Sequence, residues 1–275
     1  MMTETLPRAL LFAIIFTAVS HGQSAAISHA DSVIDLLIVQ GKNLTEEGYI
    51  TWDKDKMLRG YAILNRACIT SPGNKFAVYY TAYAAYRLII YGMVTKQDGI
   101  YDQFAHIADE STKRLTEKYT SWSEPYSLLA AIYGIEIAHN WLKGPILGPK
   151  SDQLLKEAIS NDSANPRAYL ILGISKLNAP SLFGGSVDQA IEYFTKSIAL
   201  YEREKSDKDR PNSLNPDWGY EDALAWLGLA YEKKGRLADA LKVYEKALQS
   251  RPNYARVKYT LLPELRKKMA SAVRK

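Results

Sequence analysis

The residues that could do chemistry are few and far apart in this sequence. His106 and Glu110 lie four positions apart on one predicted helix, where two metal ligands could share a face. A metal site needs three or four donors, and no third donor follows nearby, so we interpret this pair as part of a solvated face. Cys68 is the only cysteine, which excludes an intrachain disulfide, and it forms no zinc-binding spacing with the four histidines. The sequence therefore predicts no metal site.

Motifs for other kinds of catalysis are equally hard to find. Gly184-Gly185 lacks the preceding strand and the following Lys-Ser/Thr of a phosphate-binding loop, and there is no Gly-x-Ser-x-Gly elbow or Cys/His pairing. His139 precedes a long Gly/Pro stretch, where a packed or capping histidine fits better than a catalytic one. Asp207 and Asp209 lie in a polar loop, where carboxylates are normally solvated. We therefore predict a protein that is not an enzyme and needs no cofactor; a carboxylate-based hydrolase is the weakest alternative.

Composition and charge are those of a soluble globular chain without a nucleic-acid partner. Hydrophobic residues make up 47% and charged residues 24% of the 275 positions. The net charge of +5 is mild, and the terminal basic cluster at 266–275 forms no basic stripe of the kind that nucleic-acid binding requires. The 19 tyrosines against 6 phenylalanines indicate many half-buried, half-wet positions. Such tyrosines could line a binding groove or pack between helices.

Residues 1–23 have the composition of a signal peptide. Arg8 precedes an apolar run at 9–19, and Ser20 and Gly22 supply the small residues of a cleavage site. The run is too short to span a bilayer comfortably, and no lipid-attachment cysteine follows it. We therefore expect export, to a periplasm or out of the cell, with no membrane span after cleavage. An uncleaved N-terminal anchor is the alternative.

The rest of the chain, 24–275, shows helical periodicity that we interpret as one domain. The clearest stretch is 221–254, which contains Leu224, Leu227, Gly228, Tyr231, Ala240, Tyr244, Ala247 and Pro252. In this pattern small Gly228 and Ala240 allow two helices to approach, Tyr231 and Tyr244 fill the space beside them, and Pro252 ends the second helix. The residues therefore predict a pair of antiparallel helices.

The same skeleton recurs upstream with insertions, giving about five helix pairs. Each of the four upstream units has its own anchor residues. Taken from the last unit towards the N-terminus, they are Tyr169, Gly173, Ala190 and Phe194; then Tyr126, Leu129, Leu155 and Ala158; then Tyr80, Tyr83, Ala108 and Leu115; and, in the first unit, Val33 and Leu36 together with the helix of 55–67. Long connections are predicted at 143–149 and 178–186. A single pair cannot bury its apolar face, so we expect the pairs to stack into a continuous solenoid.

These residues resemble the tetratricopeptide-repeat (TPR) superfamily, strongly over the last third of the chain and loosely over the rest. The resemblance implies an all-α fold, a right-handed superhelical solenoid of antiparallel helix pairs. The Phe-Gly-Gly at 183–185 and the later Pro-x-Trp-Gly at 216–219 are similar to exported bacterial TPR proteins. A weaker resemblance connects the chain with the TPR component of periplasmic tripartite transporters, although the lipid-attachment cysteine of that family is missing here.

By this resemblance, helix A of each repeat lines a concave face at repeat positions two, five, nine and twelve. Those positions are Arg167, Leu170, Ile174 and Leu177 in one repeat, and Asp222, Ala225, Leu229 and Glu232 in the last. Chaperone-binding TPRs place Lys and Asn at such positions to clamp a terminal carboxylate, but Leu170 and Ile174 stand there in this chain. The predicted groove is therefore apolar, unless the long connections fold back and cover it as core.

We predict a scaffold or adaptor that binds a protein or peptide partner in this groove. The alternative is a small-molecule or lipid-like ligand carrier associated with a transporter, which an enclosed pocket would favour. Five further residues are hypothesised to border the site: Trp141, Phe183, Gly184, Gly185 and Trp218. All of them come from long connections or from the segment before the last repeat, and such loops often carry function.

Overall fold

The computed structural model describes residues 32–206 and 214–273, and the regular structure in these ranges is helical. The helices are α1 (32–51), α2 (Lys54–Thr70), α3 (Lys75–Thr95), α4 (Asp98–Lys118), α5 (Ser123–His139), α6 (Gly144–Asn161), α7 (Pro166–Asn178), α8 (Val187–Ser206), α9 (Tyr220–Lys233), α10 (Leu237–Ser250) and α11 (Leu262–Val273). Short 3₁₀ turns follow α5 and α7, and a π-helical turn at Arg256–Leu261 precedes α11. The predicted signal peptide, Asp207 and Asp209 lie outside the described residues.

The first ten helices form five antiparallel pairs, and we call the first helix of each pair A and the second B. Each A helix packs on its own B helix, and successive A helices pack on one another from α3 through α5 and α7 to α9. All five pairs coincide with units predicted from the sequence, so the expectation of an all-α solenoid of antiparallel pairs is confirmed. Helix α11 follows the fifth pair and packs against α10.

Two glycines, which have no side chain, explain how closely the paired helices approach each other. A Cβ atom added at Gly228 of α9 would lie 2.1 Å from the ring of Tyr244 in α10. The equivalent atom at Gly173 of α7 would lie 2.5 Å from the ring of Phe194 in α8. Real Cβ contacts are never this short, so each aromatic ring fills space that only glycine leaves free. The small-residue and aromatic spacing of the repeat is therefore a packing requirement.

One predicted connection is partly wrong. The sequence predicts a long loop at 143–149, but α6 already begins at Gly144 and contains most of this stretch. Pro145 occupies the first turn, where its missing N–H would have no intrahelical partner. Pro149 lies inside the helix and forfeits one hydrogen bond there. The prolines thus mark an early helix start, whereas the predicted connection after α7 is indeed long, running from 179 to 186 with one 3₁₀ turn.

The two ends of the solenoid contact each other, which periodicity alone did not predict. Lys42 of α1 forms an ion pair with Asp217, at 3.1 Å, just before α9. Tyr49 of the same helix donates a hydrogen bond to Asp222 of α9, at 3.0 Å. As a result, α3 is enclosed, and its tyrosines at 79, 80 and 83 are almost fully buried. Among the described helices, none is both long and apolar enough to cross a bilayer.

Candidate binding face

Six of the predicted groove residues divide into two groups along the A helices. Arg167 and Leu170, in the first turns of α7, are buried, and Ala225 of α9 is also fully buried. Leu177 is buried at the end of α7, while Ile174 and Leu229 are half-buried and remain partly accessible. We call the part of the concave face around Arg87 of α3 and the first turns of α5, α7 and α9 the filled half. The part around the last turns of α7 and α9 is the open half.

A cluster of buried ion pairs around Arg167 lies in the filled half. The guanidinium of Arg167 lies with its Nε 2.7 Å from Glu124 of α5 and its Nη2 2.9 Å from Glu204 of α8. Burial opposes the charge of Arg167, but the two carboxylates outweigh it and raise the pKa of Arg167 well above its ordinary value. Burial also raises the pKa of Glu124, and Arg167 offsets part of that shift. Three helices are therefore joined through one charged side chain.

A second cluster surrounds Arg87 of α3. Its Nη1 lies 2.9 Å from Asp222, and its Nε donates to the hydroxyl of Tyr83 at 2.7 Å. Tyr83 in turn donates a hydrogen bond to Glu46 of α1. Asp222 also accepts hydrogen bonds from Tyr49 and from Tyr254, at 3.0 and 2.8 Å. This cluster joins the first helix, the third helix and the last repeat.

The two carboxylates of this second cluster respond to burial in opposite directions. For Asp222, burial raises the pKa, but Arg87 and the hydrogen bond from Tyr254 outweigh it and lower the pKa below its ordinary value. For Glu46, burial prevails over the attraction of Arg87, so its pKa is raised. A shared guanidinium thus favours the charged form of Asp222 more than that of Glu46.

The segment 214–219 packs into the filled half, beside a cavity of about 300 Å³ whose lining includes Glu46, Tyr83 and Trp218. Trp218 is 3% exposed, donates its Nε1 hydrogen to the hydroxyl of Tyr79 at 2.9 Å, and stacks on Tyr83 at 5.2 Å between ring centroids. Tyr80 donates a hydrogen bond to the carbonyl oxygen of Leu214 at 3.0 Å. Gly219 has φ of 107°, and a Cβ atom there would lie 2.2 Å from the hydroxyl of Tyr201. Side chains of the chain itself therefore occupy most of this half.

The open half carries a cavity of about 390 Å³. Its lining consists of Leu177, Asn178, Trp226, Leu229, Glu232, Lys233 and Lys268. Lys268 of α11 reaches Glu232 at 2.7 Å, and Lys233 donates to the carbonyl oxygen of Leu177 at 2.8 Å. Apolar side chains form the floor and charged side chains the rim, which suits the recognition of an apolar group with polar neighbours.

The family profile of the tetratricopeptide repeat matches residues 221–254, which form α9, α10 and the turn between them. The same pairing extends through the four upstream units. Residues 221–254 therefore form a tetratricopeptide repeat, and the helix pairs of the chain are similar to those of the TPR superfamily. A comparison with curated protein sequences finds no significant match.

Two solved structures share the fold with this chain. The thermophilic TPR protein TTC0263 of Thermus thermophilus aligns with a TM-score of 0.54 and 19% identity, over 86% of this chain and 100% of that one. The HusA haemophore of Porphyromonas gingivalis aligns with a TM-score of 0.55 and 22% identity, over 74% of this chain and 93% of that one. At this level of identity both likenesses support the solenoid fold.

The five residues hypothesised to border a site do not come together in the TPR solenoid. Trp218 is buried before the start of α9, in the filled half. Trp141 and Phe183 follow the far ends of α5 and α7 and are 78% and 70% exposed. Gly184 and Gly185 lie beside Phe183, with Gly184 at φ of 79°. The length of an A helix separates Trp218 from the others, so these residues belong to two different regions.

The surroundings of His106 and His139, the two histidines considered above for metal binding or catalysis, are those of structural residues. His106 and Glu110 are both exposed on α4, and Glu110 lies 3.6 Å from Lys113. His139 stacks on Tyr101 with 3.9 Å between ring centroids. In the parts of the chain that the structure describes, no three His, Cys, Asp or Glu side chains meet in a way that could hold a metal ion.

Sequence reasoning missed Arg87 and Glu46, and it did not predict that Asp222 and Tyr83 would contact Arg87. One signal was available: Arg87 is the only charged residue within the apolar stretch of 76–95, and a charge in a buried helix requires a partner. Another was the charged residue at repeat position two in three consecutive A helices, Glu124, Arg167 and Asp222. The identity of each partner depended on the closure of the solenoid, which no local pattern encodes.

Proposed function

We propose that this protein is an exported, non-enzymatic scaffold that binds an apolar segment of a protein partner in the open half of its concave face. TPR proteins are generally protein-interaction scaffolds, which supports the class of function. The single observation that carries the proposal is the cavity of about 390 Å³, with its apolar floor and charged rim. It opens on the same face whose other half is filled by the chain itself.

The geometry of the open half supports an apolar anchor with a polar flank. Leu177, Trp226 and Leu229 offer apolar surface, and burying such surface drives association. Lys233 and Lys268 stand at the rim, and the partner of Lys268, Glu232, lies within the same lining. A peptide with one or two large apolar residues next to an acidic residue fits this arrangement best.

Site-specific photo-crosslinking in cells tests the proposal. A photoreactive phenylalanine analogue at Leu229 should form a crosslink to another polypeptide, because this position faces the cavity. The same analogue at Ile69, which is 72% exposed on α2 and far from the cavity, serves as the matched control. Equal crosslinking from both positions, or none from position 229, would contradict the proposal.

The cavity also favours a second candidate, a carrier of a small apolar ligand, because its volume lies within the range of small-molecule pockets. One protein that shares the fold is called a haemophore, so haem is a reasonable first probe. Titration with haem should give a saturable Soret shift that Leu229→Glu abolishes if the carrier candidate is correct. Native mass spectrometry of the exported protein would show whether it carries any small molecule.

Export is part of the proposal and rests on the composition of residues 1–23. The N-terminal sequence of the protein recovered from the exported fraction should begin within a few residues of position 23. A full-length N-terminus in that fraction would favour a retained anchor, and recovery from the cytosol alone would contradict export.

A further inference from the structure

A second surface of the molecule is apolar, and it lies apart from the cavity floor. Ten large hydrophobic side chains are exposed among the described residues, and six of them occur where A helices connect to B helices. These six are Val94, Trp141, Leu142, Ile146, Leu182 and Phe183. We call the A-to-B connections of the second to fifth pairs, with these side chains, the turn edge. Exposed apolar clusters of this kind mark binding surfaces for proteins or membranes.

The connections of the turn edge lie side by side. His139, at the end of α5, stacks on Tyr101 at the start of α4. Lys233, at the end of α9, donates to the carbonyl oxygen of Leu177 at the end of α7. Lys234 then reaches Asp188 at the start of α8, at 2.8 Å. Because these contacts join neighbouring pairs, the apolar tips share one edge of the solenoid.

Defined loop structure holds the apolar tips away from the core. After α7, Gly184 adopts positive φ, and its carbonyl oxygen accepts a hydrogen bond from Lys176 at 3.1 Å. A Cβ atom at Gly185 would lie 1.9 Å from the carbonyl oxygen of Ala179, so the tight turn needs glycine. Leu182 and Phe183 at its tip are 87% and 70% exposed. A loop with this much internal bonding presents its apolar residues in a fixed arrangement.

The charges within these connections are all positive. We count as a connection the residues between the last residue of an A helix and the first residue of its B helix. Counted in this way, the four connections contain Lys96, Lys143, Lys234 and Arg236 and no Asp or Glu. Three of these cations also pair with carboxylates on adjoining helices, namely Glu136, Asp188 and Asp239. The three paired cations are 40% exposed or more, and ion pairs at a protein surface contribute little free energy.

We propose that the turn edge docks on the surface of a bilayer that contains anionic lipids. Separate protruding tips with Trp, Phe and Leu suit insertion into a soft lipid interface, where aromatic rings reside at the boundary of headgroups and acyl chains. Lysine and arginine beside the tips complement anionic headgroups. On the opposite edge, the connections at 71–74 and 162–165 contain no large apolar residue and no cation, and the aromatic residues of the connection at 119–122, Tyr119 and Trp122, are half-buried.

Docking in this way would place the cavity near the membrane, since Asn178 and Lys233 of the cavity lining are the last residues of α7 and α9 before two of these connections. The docking proposal nevertheless stands without the proposed function, because different side chains carry it. Failure of one leaves the other intact.

Vesicle co-sedimentation of the full chain tests the proposal. The protein should bind vesicles of phosphatidylcholine with about 30% phosphatidylglycerol more strongly than vesicles of phosphatidylcholine alone. The triple variant Trp141→Ser, Leu182→Ser, Phe183→Ser should lower the apparent partition coefficient about tenfold or more. The matched control, Leu36→Ser, Ile69→Ser, Tyr259→Ser, also removes three exposed hydrophobic side chains but lies away from the turn edge, and it should bind as the wild type does.

A fluorescence measurement distinguishes insertion from other roles of the edge. Brominated acyl chains should quench part of the tryptophan emission of the wild type, and Trp141→Phe should remove that part while leaving co-sedimentation nearly unchanged. Equal vesicle binding by the triple variant and the wild type would overturn the proposal. So would the absence of wild-type binding to anionic vesicles, or crosslinking of the turn edge to a protein under conditions where no vesicle binding occurs.

Discussion

The filled half and the open half of the concave face are built on the same helices but contain different occupants. In the filled half, Arg87, Arg167 and Trp218 contact groups from distant parts of the same chain. In the open half, Leu229 lines a cavity, and the ion pair in the same lining joins the exposed Lys268 to Glu232. A solenoid groove can therefore close the structure at one end and remain available to a partner at the other. Substitutions in the two halves should have separable effects on stability and on binding.

The largest expected effect follows from removing the charge at the centre of the filled half. Arg87→Met should lower the free energy of unfolding by about 3–5 kcal/mol, because Asp222 and Glu46 would lose their buried counter-charge. Urea denaturation monitored by circular dichroism measures this change. Arg236→Ala is the control, since it removes an exposed arginine and should change stability little. A loss for Arg87→Met no larger than that for the control would show that the filled half does not hold the fold together.

The next effect tests whether the segment 214–219 is part of the packed interior. Gly219→Ala should destabilise the protein by about 1–3 kcal/mol, because alanine is strained at positive φ. Its Cβ atom would also collide with the hydroxyl of Tyr201. Gly134→Ala is a matched control in α5, where an added Cβ atom meets no neighbour within 4 Å, and it should stabilise the helix slightly. If both variants melt at the same temperature, the segment is not fixed in the groove.

A smaller effect depends on pH and on the two carboxylates around Arg87. The pKa of Asp222 is lowered on folding from the ordinary 3.8, so its ionised form stabilises the folded state above pH 3.8 and this contribution is lost as pH falls below it. The difference in unfolding free energy between the wild type and Asp222→Asn should shrink in that range. The pKa of Glu46 is raised, so the penalty of its ionised form should fade as pH drops towards 4.5. The pH dependences of Asp222→Asn and Glu46→Gln, relative to the wild type, should therefore have opposite slopes; parallel slopes would contradict this assignment.

How much of the fold could be predicted from the sequence depends on how far apart in the chain the interacting residues lie. Helix pairing rests on local spacing, as at Gly228 and Tyr244, and all five pairs were predicted. The boundary at α6 was misplaced because Pro145 and Pro149 resemble loop residues, although the first turn of a helix accepts proline. Local patterns encode neither partner nor distance for contacts between residues far apart in the chain.

The candidate site shows the same limit more sharply. Repeat positions predicted Arg167 and Leu229 as residues of one face, but could not tell that one would be buried in an ion pair and the other would line a cavity. Trp218 was grouped with Trp141 because both are tryptophans near loops. The structure separates them, because Trp218 precedes an A helix whereas Trp141 follows one. The missing information was the closure between α1 and α9, which rests on contacts such as Tyr49 to Asp222 across more than half the chain.

The smallest expected effect on stability should accompany the largest effect on binding. Leu229→Ser replaces a half-buried side chain at a cavity, so the protein should lose about 1 kcal/mol or less of unfolding free energy. The same substitution removes apolar surface that a partner would cover, so the amount of partner captured in a pull-down should fall several-fold. Ile69→Ser, with an exposed side chain on α2, is the matched control for both measurements.

These two measurements, of stability and of partner capture, decide whether the two halves differ in the way described. If Leu229→Ser destabilises the protein as strongly as Gly219→Ala, then the open half is also part of the core, and its cavity is a packing defect. If Leu229→Ser leaves both stability and capture unchanged, the partner binds elsewhere, and the exposed side chains at Trp141 and Phe183 become the next surface to test. Only a loss of capture with stability retained agrees with a face that is closed at one end and open to a partner at the other.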